Sequence, residues 1–206
     1  MASNPFIIQP PGYLTRFSRI ELVPGRLPHW EAYGVATFVT LRLRDSLPRE
    51  KLAAWQEELD EWRREHRQPW TNDELNEYKA RFLGQVEKWL DVGYGSCILG
   101  VSSNRQFIED ALRHAAGTRY SLYAFVVKPN HAHVLLMPRE GESVAGIIRD
   151  FKRYTGRALS SAKTWKGPLW EDEYWDTAIR DVEHFNRVRA YIKANDPALV
   201  FDAYGE

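Results

Sequence analysis

The stretch ATFVTLRL (Ala36 to Leu43) is rich in β-branched residues and predicts a strand. DSLP follows and marks a helix start, with Pro48 in the first turn. Two stretches then place apolar residues at three- and four-residue steps. They are Leu52, Trp55, Leu59 and Trp62, then Leu75, Tyr78, Phe82, Val86 and Trp89. Split by RQPWT, they predict a helical hairpin over about 49–91. SSNRQFIEDALRHAAG predicts a further helix, stopped at Gly117. RYSLYAFVVKP and HAHVLLMP predict two strands joined by a tight Pro-Asn turn. ESVAGIIRDFKRYTGRALSSA predicts a basic amphipathic helix, WEDEYWDTAIRD a strand and turn, and VEHFNRVRAYIKAN a last helix.

With the hairpin set aside, the order is βαββαβ plus a final helix. This predicts an α+β, ferredoxin-like antiparallel sheet with its helices on one face. Residues 1–30 carry several prolines and little periodicity, so they are expected to form an irregular arm before a single domain over 31–206.

Composition adds class rather than chemistry. Of the 206 residues 44% are hydrophobic and 27% charged, as in ordinary globular proteins. No apolar run is long enough to span a bilayer, and the first residues lack a signal-peptide pattern. The single cysteine, Cys97, excludes an internal disulfide and fits a reducing, cytoplasmic setting. The formal net charge of zero argues mildly against a nucleic-acid partner but conceals a split. Arg49 to Asp91 holds 8 basic against 11 acidic residues, and Gly141 to Leu169 holds 6 against 2. A cationic stripe on one face is therefore available.

Candidate chemistry centres on NHAHVLLMP. In a strand, His131 and His133 project to the same face, a natural pair of metal ligands. The competing view is two unrelated histidines, one satisfied in the core and one exposed. A spare histidine is hard to satisfy in an apolar strand, which favours the pair. A metal would need a further ligand. In AYIKAN, Tyr191 and Asn195 share one helical face, offering a phenol and a neutral carbonyl oxygen. Spacing alone favours a core tyrosine with a C-capping asparagine there.

The motifs together resemble a known family. VVKPNHAHVLLMP is similar to the histidine signature of REP-associated tyrosine transposases, which are single-tyrosine HUH transposases. RVRAYIKANDPALV resembles that family's tyrosine helix, LWEDEYWDTAIRD the segment before it, and ATFVTLRLRDSLP its first strand. The likeness runs from about Ala36 to Val200, with 58 residues from His133 to Tyr191. It implies a ferredoxin-like fold, a metal held by His131, His133 and Asn195, and Tyr191 as nucleophile. It also implies Mg²⁺ or Mn²⁺ as cofactor and single-stranded or hairpin DNA as partner, with no membrane. Either a monomer or a homodimer fits. Two departures are Ala132, smaller than the family's usual residue, and Asp196 in place of the usual proline.

Attack by Tyr191 would give a 5′-phosphotyrosine and a free 3′-OH, so strands are nicked and rejoined without water or ATP. Arg149, Lys152, Arg153 and Arg157 step along one helical face toward phosphates, with core or plain surface as the alternative for this helix. Tyr154 is a rival nucleophile. The rival functions are a domesticated hairpin-DNA binder, a metal-dependent hydrolase using water, and a replication-initiator nickase.

Overall fold

A computed structural model describes residues 9–15, 18, 20–23, 29–67, 70–196 and 200–204. The strands are β1 (Ile20–Val23), β2 (His29–Ala32), β3 (Thr37–Arg42), β4 (Tyr120–Val127), β5 (His131–Pro138), β6 (Trp175–Ala178) and β7 (Phe201–Asp202). The α-helices are α1 (Arg49–Glu65), α2 (Asn72–Tyr78), α3 (Gly84–Asp91), α4 (Ser102–His114), α5 (Val144–Ser161) and α6 (Val182–Asn195).

Five strands form one antiparallel sheet in the order β6-β3-β5-β4-β7. The four central to the expected pattern occur as fourth, first, third, second, which is the ferredoxin-like order. Strand β5 lies in the middle, buried at every position, which explains its near-continuous apolar run. Three features depart from the sequence reading, two of them in the strands. The short β7 adds a fifth strand at the β4 edge. The arm expected to be irregular contains the β1–β2 ribbon, while residues 1–8 and several up to 28 lie outside the described residues.

The helices are not confined to one face. On one side α4 and α5 bury Ile108, Leu112, Ile147, Ile148 and Phe151 against Val39, Val134 and Leu136. On the other, α6 buries Phe185, Val188 and Ile192 against Ala124, Val126, Leu135 and Met137. The final helix has only that second face left to cover, because α4 and α5 fill the first.

The inserted hairpin has its own small core of Trp55, Leu59, Trp62, Tyr78, Phe82, Val86 and Leu90. Its second arm is continuous from α2 to α3 through a π-helical turn at Lys79–Leu83. The Phe82 carbonyl in that turn accepts the Trp55 indole N–H at 3.2 Å. Asn130, at the β4–β5 turn, ties the hairpin to the sheet. Its amide N–H groups donate to the carbonyls of Leu90 at 3.1 Å and Tyr94 at 3.2 Å. No described helix is long and apolar enough to cross a membrane.

Candidate active site

The antiparallel register aligns Arg42 with His131, Thr40 with His133 and Phe38 with Leu135. Facing residues in such a ladder share a side of the sheet. Phe38, Thr40, Arg42, His131 and His133 therefore all project onto the face that α6 covers. Both histidines are 1% exposed, with ring centroids 4.8 Å apart.

The Asn130 N–H groups are spent on carbonyls, so its Oδ1 must accept. It accepts from His131 Nδ1–H at 2.7 Å, which leaves the His131 lone pair on Nε2. His133 Nδ1 is held by the Thr40 hydroxyl at 3.0 Å, and Phe38 stacks on its ring at 5.4 Å. Burial, with the Lys128 charge adding to it, draws the His131 pKa down to about 3. Burial and then the neighbouring His131 hold His133 well below its ordinary value. Both rings are neutral at physiological pH, the form that binds metal.

Helix α6 brings Tyr191 to this pair. The side chain of Asp181 caps the helix by accepting from His184 N–H at 2.6 Å. The Tyr191 ring meets His133 edge-on at 5.3 Å, with its hydroxyl 3.4 Å from His133 Nε2. Asn195 lies one turn on, its amide N–H donating to the Tyr191 carbonyl at 3.0 Å, so its oxygen is the end available to a cation. The structure thus brings Tyr191 to His133 with His131 beside it, while Asn195 is bonded to the Tyr191 backbone and makes no hydrogen bond to either histidine. Among the described residues no group of three His, Cys, Asp or Glu side chains is arranged to hold a metal. Two neutral imidazoles, that of His131 with its tautomer fixed, and a neutral amide oxygen nonetheless fit a divalent cation with positions left open.

One further group was not foreseen. Glu87, on α3 of the inserted hairpin, accepts the Tyr191 hydroxyl proton at 2.5 Å. Burial raises the Glu87 pKa, with Asp91 adding to it and the Tyr191 hydrogen bond opposing. Burial and then Glu87 raise the phenol's pKa, with Asn195 opposing. Arg42 was also unforeseen. It is buried opposite His131 and paired with Glu171 at 3.0 Å. In the sequence Glu87 is one of many charged hairpin residues, and no local signal sets it apart. Asn130 was in view, next to the histidines, but read only as a turn residue.

The basic helix does not reach the histidines, because α5 packs on the opposite face. Arg149, Arg153 and Arg157 line a cleft of about 680 Å³ with Gly167, Trp170 and Tyr174. Arg149 and Arg153 flank Asp150 at 3.6 and 3.2 Å. Lys152 differs: its ammonium donates to the carbonyls of Glu171 (2.8 Å), Asp172 (2.9 Å) and Glu173 (3.3 Å). It staples the segment before β6 and is committed there rather than offered to phosphate. Tyr154 is also on α5, 59% exposed and against Phe107, so it cannot join the histidine pair.

A ferredoxin-like sheet thus carries an HxH pair on its central strand, facing a helix-borne tyrosine. Residues 98–195, the segment holding the histidines, Tyr191 and Asn195, match the family model described as IS200-like transposase, which supports a transposase-like DNA-processing role. Glu87 lies outside the matched segment. A comparison with curated proteins gives no match. Among solved structures the chain is similar to a REP-associated tyrosine transposase bound to a REP hairpin. The identity is 18%, over 81% of this chain and 69% of that one, with a TM-score of 0.43.

Proposed function

We propose that the protein is a metal-dependent transesterase that nicks and rejoins single-stranded, hairpin-forming DNA through a 5′-phosphotyrosine at Tyr191. The observation that carries this is the Tyr191 hydroxyl 3.4 Å from His133 Nε2, inside a site with two neutral imidazoles and the Asn195 amide. A phenol beside a metal-ligand pair has no purpose in a protein that only binds DNA. A hydrolase would need a water in that position instead.

His131, His133 and Asn195 would hold Mg²⁺ or Mn²⁺. The bound cation would neutralise phosphate charge and orient the scissile group. The chain's own residues do the rest. Asn130 fixes the His131 tautomer, and Thr40 orients the His133 ring. Phe38 packs against both His133 and Tyr191, holding the phenol edge-on to the site. In-line placement compensates for a weak nucleophile. Away from the reacting centre, Arg149, Arg153 and Arg157 supply the phosphate-binding stripe, and their cleft includes the aromatic residues Trp170 and Tyr174.

The test is incubation with labelled hairpin DNA and Mn²⁺, followed by a denaturing protein gel. A DNA-linked band in wild type that is lost in Tyr191→Phe and kept in Tyr154→Phe is expected. Cleavage without a linked band would replace this reading with hydrolysis. Tight binding without cleavage would replace it with a domesticated binder.

A further inference from the structure

The Tyr191 hydroxyl carries one proton, and its place in the structure is defined. Glu87 Oε2 lies 2.5 Å from Oη, while His133 Nε2 is at 3.4 Å. The first is a short O–H···O hydrogen bond, and the second is at the limit of hydrogen bonding. Among the described residues no other carboxylate bonds to Tyr191, and no cation pairs with Glu87.

Glu87 is half-buried, with Asp91 one turn further along α3 and Asp176 lining the same small cavity. A carboxylate placed there for stability would be matched with a base. The hairpin's own Arg81 is spent on Glu58 at its surface. The inward position of Glu87 instead costs desolvation in return for one bond to the nucleophile.

We infer that Glu87 is a catalytic residue of the inserted hairpin, the acceptor of the Tyr191 proton during strand cleavage. The inference rests on the transesterase reading above. In cleavage, the bond from Tyr191 Oη to phosphorus forms and the bond from phosphorus to the 3′-oxygen breaks. The phenolic proton passes to Glu87 Oε2, and water supplies a proton to the departing 3′-oxygen. In rejoining, a 3′-hydroxyl attacks phosphorus and releases its proton to water. The bond from phosphorus to Oη breaks, and Glu87 returns its proton to the phenolate. Atoms and charge balance in both directions, with no oxidant or energy source. A cavity of about 30 Å³ lined by Glu87, Asp176 and Thr40 has room for a water through which Glu87 exchanges protons.

The hairpin lies outside the matched family segment, so its sequence carries a chemical function that the segment lacks. This explains why a mostly solvated, acidic pair of helices is pinned to the metal-site turn by Asn130.

The test compares wild type, Glu87→Gln, Glu87→Asp and Tyr191→Phe in single-turnover formation of the DNA-linked band. The probe is a hairpin oligonucleotide with Mn²⁺, and Mn²⁺ affinity is measured separately by paramagnetic resonance. Glu87→Gln keeps the hydrogen bond but cannot take the proton. Its rate is expected to fall by about 10²–10⁴-fold, the usual reach of general-base catalysis, with Mn²⁺ affinity within twofold. Replacing Tyr191 with a fluorinated tyrosine, whose more acidic phenol gives up its proton with less help, is expected to restore part of that loss. A structural role would not respond to the phenol's acidity.

Glu87→Gln and Glu87→Asp both cleaving at the wild-type rate would overturn the inference and leave the transesterase reading intact. A Glu87→Gln defect that fluorotyrosine does not relieve, or a tenfold drop in Mn²⁺ affinity, would also overturn it, making Glu87 a packing group or a ligand. A wild type with no linked band would overturn both readings at once, since all four proteins would then look alike.

Discussion

Asn130→Ala tests the idea that one buried amide sets both the metal site and the seat of the hairpin. The side chain is 1% exposed and makes three hydrogen bonds, to His131 Nδ1, Leu90 O and Tyr94 O. Truncation affects them unequally. The Leu90 carbonyl keeps the Gly93 N–H at 3.0 Å, so its loss is partial. The His131 N–H is left buried and unmatched, a cost of about 1–3 kcal/mol. The two carbonyl bonds add about 0.5–1 kcal/mol each. Together these give about 3 kcal/mol, or a melting temperature lower by about 6–12 °C for a chain of this size. The freed imidazole can also rotate or change tautomer, so Mn²⁺ affinity should fall by about 10–100-fold, as for other lost outer-shell partners. Thermal unfolding without metal reads the first effect, and paramagnetic resonance titration of Mn²⁺ reads the second. Asn130→Asp separates them, since it keeps an acceptor for His131 but turns a carboxylate oxygen on the two carbonyls. A melting temperature within 2 °C of wild type, with unchanged Mn²⁺ affinity in Asn130→Ala, would refute the reasoning.

Three further outcomes are expected. Glu87 has a raised pKa in the folded protein, so its stability contribution is full below its unfolded value and is lost as pH rises through the folded one. Glu87→Gln without metal should therefore melt with wild type near pH 4 and a few degrees above it at pH 8, by scanning calorimetry at both. The Asp202 side chain is 3% exposed and held by Arg189 at 2.8 Å, but Lys193 at 3.5 Å and the Tyr204 N–H at 3.1 Å also reach it, so Arg189→Ala should cost about 1.5–3 kcal/mol in urea unfolding. Arg157→Ala should weaken hairpin-DNA binding and lower its salt slope by about 0.9, whereas Lys152→Met should leave the slope unchanged and lower the melting temperature.

Periodicity located the sheet, the hairpin and every long helix, because buried strands and amphipathic helices write their burial into nearest-neighbour spacing. The histidine pair was legible for the same reason, as residues two apart on a strand, whereas the spacing of Tyr191 and Asn195 favoured a core tyrosine with a capping asparagine and only the family resemblance set them apart. What was not legible is what spacing does not encode. The two-residue β7 is too short to show a period. The second layer of helices depends on which sheet face remains open after α4 and α5 dock. Lys152 sits in step with three arginines, yet its stem lies against the sheet side of α5 and its ammonium finds three carbonyls. Glu87 meets Tyr191 across 104 residues, a pairing that exists only once the hairpin is seated.

The strand order also sets a timetable for folding. Strands β4 and β5 are joined by three residues, and such hairpins close in about microseconds. The histidines are therefore aligned on the ladder early. Thr40 must come back from 93 residues away to hold His133, past an inserted hairpin that has closed on itself. Helix α6 needs the finished second face before it can dock, so Tyr191 arrives last. Should Tyr191 be the nucleophile, a chain without α6 docked would carry the histidine strand but no positioned phenol, and would leave DNA uncut.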